Sequence, residues 1–115
     1  MQLAAIVLAI AAVGGATLAT IRLRGALRPP TWMALGHGAV AATGLVLLIY
    51  AAVTTGLPPL ANLALGLFVL AAAGGATLFA GFHLREKALP IPFVIGHGLL
   101  AITAYALLVV AILRS

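Results

Sequence analysis

The chain has no cysteine and no aspartate, and among its 115 residues only one is acidic, Glu86. Without thiols, these residues can form no disulfide, iron–sulfur cluster or thiolate-bound metal site. With a single carboxylate they can build neither a paired-carboxylate active site nor a carboxylate-rich metal centre. Charge of either sign is scarce, 6% of residues against about a quarter in ordinary soluble domains. What takes its place is apolar: 65% of residues are hydrophobic, and the mean hydropathy is +1.32. That composition implies an integral membrane protein. The net charge of +5 does not mark a nucleic-acid binder, because Arg22, Arg24, Arg28, Arg85, Lys87 and Arg114 lie between or after the apolar runs. There they act as topology signals.

Four apolar segments stand out, Leu3–Ile21, Trp32–Val53, Leu60–Phe82 and Phe93–Leu113. Each has about the 20 residues a helix needs to cross a hydrocarbon core. None alternates polar and apolar residues as a membrane barrel strand must, so sheet is excluded. Pro29-Pro30, Pro58-Pro59, and Pro90 with Pro92 punctuate the segments at or just before their starts, where a missing N–H costs nothing. The first segment lacks a basic leader and a small-residue cleavage site, so it is expected to be mature structure and not a signal peptide. Trp32 and Phe93 are placed to serve as interfacial aromatics. The turns over 22–31 and 83–92 carry five basic residues, whereas Thr54–Pro59 carries none. The positive-inside rule then predicts both basic turns in the cytoplasm and both termini outside, with Arg114 the one dissenting charge. Arg outnumbers Lys five to one, and Ala and Gly are abundant. This composition points to a GC-rich bacterial genome and hence to a bacterial inner membrane.

Two halves of the chain repeat each other. Residues 3–53 laid on 63–113 without a gap agree at eighteen positions. Gly14-Gly15-Ala16-Thr17-Leu18 recurs as Gly74-Gly75-Ala76-Thr77-Leu78, and Gly36-His37-Gly38 as Gly96-His97-Gly98. Each repeat holds two helices, so both enter the membrane from the same side. The expected fold is all-α: a single domain over 1–115, a four-transmembrane-helix bundle of two parallel hairpin repeats related by a pseudo-twofold axis along the membrane normal.

A histidine inside an apolar helix is costly, and one placed twice in register suggests a shared task. Under the pseudo-twofold, His37 and His97 face one another. Such a pair suits a flat ligand with one axial group on each face, and a single haem b with two imidazole ligands fits that description. Neutral imidazoles need no compensating acid. Ala41 and Ala101 lie one turn further along the histidine faces, and small residues there leave a slot for a macrocycle. The flanking Gly36, Gly38, Gly96 and Gly98 each cost about 1 kcal/mol against alanine, a cost explained by close approach of a ligand or backbone. Taking 1.5 Å per residue, Gly14-Gly15 lies roughly 10 Å before the basic turn and His37 roughly 8 Å after it, so Gly14, Gly15, Gly74 and Gly75 share the depth of the histidines. Ala11 and Gly15, like Ala71 and Gly75, also form small-xxx-small patterns that serve plain helix packing. Thr17 and Thr77 are candidates for hydrogen bonds to an imidazole Nδ1–H, although such threonines usually bond to their own helix. His83 aligns with Leu23 and reads as an interfacial residue beside the basic turn.

With one histidine on each of two helices, the chain resembles the small four-helix membrane b-type cytochromes that serve as haem-carrying anchors or electron-transfer subunits in respiratory assemblies. It departs from the two-haem pattern with four helix-borne histidines. The resemblance implies one haem with His37 and His97 as axial ligands, and propionates near Arg22, Arg24, Arg28, Arg85 or Lys87. It also implies an electron carrier instead of a bond-making enzyme, working with quinone or a redox partner subunit, or as a homo-oligomer. Two other classes stay open: a membrane protein binding a chlorophyll-type pigment at each histidine, and a cofactor-free assembly subunit or small transporter.

Overall fold

A computed structural model describes all 115 residues. It is all-helical: α1 is Gln2–Leu23, α2 Thr31–Thr54, α3 Pro59–Leu78, continued by a π-helical turn over Phe79–His83, and α4 Ile91–Leu113. All four are long and apolar enough to cross a membrane, the third counted through His83. The starts of α2, α3 and α4 follow the proline signal. Pro30, Pro58 and Pro90 precede α2, α3 and α4 with extended backbone, while Pro59 and Pro92 sit in first turns, whose N–H groups have no helical partner. The fourth helix therefore begins two residues before the apolar run from Phe93. α1 closes on Gly25, whose φ of +113° suits a residue without Cβ.

α1 packs on α2 and α4, and α3 packs on α4 and α2, so the helices run round a square with α2 and α4 on one diagonal. The bundle has two ends: a turn end with the connections near residues 24–30 and 84–90, and a terminus end with Met1, Gly56 and Ser115. The main core lies toward the terminus end, where Ala4, Leu8, Leu48, Ala64, Phe68, Ala104 and Leu108 interdigitate. Gly44 belongs to it as well, because a Cβ there would stand 2.7 Å from Leu8 Cγ. The Tyr105 hydroxyl donates to the Ala5 carbonyl at 3.0 Å and ties α4 to α1. A smaller cluster of Leu78, Leu89 and Val94 closes the turn end. Leu3, Ile6, Ile10 and Val13 line one outer stripe of α1 and stay exposed. An apolar exterior of this kind is compatible with lipid contact.

Candidate functional site

His37 on α2 and His97 on α4 meet across the diagonal, with ring centres 6.3 Å apart and planes at 87°. Each ring lies against the double glycine of its own hairpin. A Cβ built at Gly15 would stand 2.9 Å from His37 Cε1, and one at Gly75 would stand 3.0 Å from His97 Cε1. At Gly14 and Gly74 the nearest atoms are the imidazole Nδ1 atoms, both at 3.7 Å. The four glycines thus seat the imidazoles themselves: their shared depth with the histidines is a direct contact between glycine and ring.

His37 Nδ1 lies 2.9 Å from the Ala11 carbonyl. A carbonyl only accepts, so Nδ1 carries the proton, and in the neutral ring Nε2 keeps a free lone pair. On the other hairpin, the Ala71 carbonyl is the corresponding acceptor beside His97. There, however, Nδ1 is buried without a partner in hydrogen-bonding geometry. The two halves of the pair share a plan but differ in how firmly the ring is tied.

The other candidates divide. Ala41 and Ala101 are partly buried one turn along the histidine faces. Gly36, Gly38, Gly96 and Gly98 have open space where a Cβ would stand, so no neighbouring helix requires them to be glycine. Thr17 and Thr77 do not reach the histidines: their hydroxyls donate to the Val13 and Ala73 carbonyls of their own helices, each at 2.9 Å. Thr17 also lines an outward-facing groove on α1 of about 420 Å³, together with Val13, Ala16 and Arg24. The partner of His37 Nδ1 is a backbone carbonyl instead, because the glycines bring α1 close enough to offer one.

At the turn end, the Arg22 Nε–H donates to the Leu89 carbonyl at 2.8 Å and Arg28 Nη1 to the His83 carbonyl at 3.2 Å. Arg24, Arg85 and Lys87 are exposed. His83, at the end of the third helix beside the basic turn, is buried within the bundle, with only 3% of its surface accessible. Its Nε2 shares a hydrogen bond of 2.9 Å with Thr31 Oγ1, and its ring stacks on Phe79. Comparison with protein-family models, curated proteins and solved structures finds no match to this chain.

Proposed function

We propose that the chain is a membrane electron carrier holding one haem b between α2 and α4, with His37 and His97 as axial ligands. The observation that carries this reading is the facing pair of imidazoles, 6.3 Å between centres. Two imidazoles on opposite sides of one metal have centres about 6 Å apart, from about 2 Å per metal–nitrogen bond and a little over 1 Å from nitrogen to ring centre. The donor set fits too: the Ala11 carbonyl holds the Nδ1 proton of His37, which orients a ligating ring and raises its basicity. The orphaned Nδ1 of His97 is buried with no acid to pair with, which also suits a neutral donor.

The proposal includes the setting in the bilayer. Residues 3–53 and 63–113 are parallel hairpins about an axis along the membrane normal, with turns 22–31 and 83–92 cytoplasmic. Support comes from the matched contacts of Gly15 with His37 and Gly75 with His97, and from the basic turns. Haem supplies reversible one-electron chemistry at its iron. The chain's part is to fill both axial positions, exclude water with α1 and α3, and offer cations at the turn end to the propionates. With both axial positions filled by imidazole, oxygen binding is not expected. Electrons then pass to or from quinone or a redox partner subunit.

A metal-free pair is the competing reading, because about 4.5–7 Å is also the range of edge-to-face ring contacts. A separate pigment on each histidine is the third reading. Spectra of the purified protein, with haem supplied, decide among these. We expect sharp α and β bands on reduction and one haem per chain. His37→Ala and His97→Ala should each abolish the low-spin spectrum, and the double variant should lose no more, because a broken unit cannot be broken twice. A native protein with no visible absorbance under haem excess would overturn the assignment, and long-wavelength bands would replace it with a chlorophyll-type pigment.

A further inference from the structure

The last turn of the third helix departs from that of the first by one residue. The two hairpins run sixty residues apart through Leu18 and Leu78, and again from Pro30 and Pro90. Between those points the helix caps are out of step. At the end of α1, the Gly25 N–H bonds to the Arg22 carbonyl at 3.2 Å and the Ala26 N–H to the Ile21 carbonyl at 3.3 Å. At the end of the third helix, the Glu86 N–H bonds to the His83 carbonyl at 3.1 Å and the Lys87 N–H to the Phe82 carbonyl at 2.9 Å. Glu86 takes the left-handed position that Gly25 holds in the first hairpin, at φ +56°. Equivalent bonds are therefore sixty-one residues apart. The π-helical turn absorbs the extra residue, with the Leu84 N–H reaching back to the Phe79 carbonyl at 2.8 Å. In the shifted register Leu23-Arg24 matches Leu84-Arg85, and the counterpart of Arg22 is His83.

Arg22 and His83 also perform the same task. Each is a last-turn residue on the first helix of its hairpin, and each reaches across to the other hairpin. Arg22 bonds to the Leu89 carbonyl, and His83 bonds to Thr31 Oγ1 at the start of α2. The Leu89 N–H on the Leu27 carbonyl, at 3.1 Å, joins the two turns directly. A π turn is rare and tends to mark function. Here it delivers an imidazole to a buried position where the first hairpin uses a permanent cation.

We infer that His83 is a proton-operated latch between the two hairpins, closed while the imidazole is neutral and released when it is protonated. The ring meets Thr31 from α2 and Phe79 from its own helix, and Arg28 from the first turn donates to the His83 backbone carbonyl. The only acid, Glu86, lies three residues on and is exposed. A cation on the buried His83 ring has no countercharge and adds to the charge of the exposed Arg28 held at the same residue's carbonyl, so protonation favours the arrangement in which the ring reaches water. The Thr31 hydroxyl can accept from the imidazolium too, so buried charge drives release, not a lost hydrogen bond. The latch therefore holds at higher pH and yields as pH falls. Release parts the beginning of α2 from the end of the third helix, about 9 Å along α2 from His37 at 1.5 Å per residue. None of this depends on what the histidine pair binds.

The absence of cysteine permits a direct test on the full chain. Nitroxide labels on Leu27→Cys and Ala88→Cys, in phosphatidylcholine nanodiscs, report the distance between the two turns by pulsed electron resonance. Between about pH 8 and about pH 5, where histidine titrates, the native distance should change from short and narrow to long and broad. His83→Gln keeps a group that can bond to Thr31 but cannot charge, so its distance should stay narrow at both values. Circular dichroism at each pH verifies that the helices are intact. A native distance that ignores pH would overturn the latch, and so would a pH response surviving in His83→Gln. A broad distance in His83→Gln at about pH 8 would overturn operation by charge. If the variant does not fold, the native chain alone decides.

Discussion

Toward the terminus end, the four helices meet through alanine, leucine and phenylalanine, and Ala61, Ala64, Leu48, Ala104 and Leu108 have no exposure at all. Two turns further along the same helices, the contacts are glycine against imidazole, then guanidinium against carbonyl and hydroxyl against imidazole. The first region is held by close packing, whose loss costs energy but shifts no specific group. The second places few atoms in apolar contact and depends on where individual polar atoms sit. The bundle thus separates a clamp from a site: one half sets which helices are neighbours, and the other uses that neighbourhood to face two histidines.

That separation can be broken or sharpened by substitution. The largest effect belongs to the clamp. Leu48→Ala and Leu108→Ala each empty a fully buried position and should cost about 2–5 kcal/mol of stability, read from denaturant unfolding in mixed micelles. On the proposed haem assignment, neither should alter the haem spectrum. If Leu108→Ala removed it as thoroughly as His97→Ala, the two halves would not be separable. A middle-sized effect is expected where the two regions adjoin. Gly15→Ala and Gly75→Ala put a methyl about 3 Å from an imidazole carbon, so the ring must move. Overpacking of this kind costs about 1–3 kcal/mol, and it should weaken haem retention, whereas Gly14→Ala, with 3.7 Å to spare, should be milder on both measures. The smallest effect is expected at Gly38 and Gly98, where nothing stands within 4 Å. Alanine there should be neutral, or stabilising by up to about 1 kcal/mol through helix propensity. A large loss of haem from Gly38→Ala would return those glycines to the ligand slot that the sequence suggests.

The four apolar helices and the proline-marked starts of α2, α3 and α4 were legible in the sequence. So was the pairing of His37 with His97, because two costly residues in register identify each other. The use of the double glycines was legible only in part. Gly15 and Gly75 do serve close approach, yet the partner is an imidazole, which sequence spacing cannot distinguish from a macrocycle or a second helix. His83 was missed because a gapless comparison aligns it with Leu23. The Leu-Arg pair at 23–24 and 84–85 was the available signal for a one-residue shift. Nothing in the sequence marks Tyr105, since its partner is a backbone carbonyl 100 residues away.

What the sequence determined by itself is what depends on local composition: helix length from apolar runs and the starts of α2, α3 and α4 from proline. The tertiary structure alone decided which atoms meet. Those contacts depend on the rotation and height of one helix against another, and a single inserted residue changes both, by about 100° and 1.5 Å. The π-helical turn supplies such an insertion, and with it His83 reaches a buried contact with the opposite hairpin that its alignment with Leu23 did not suggest.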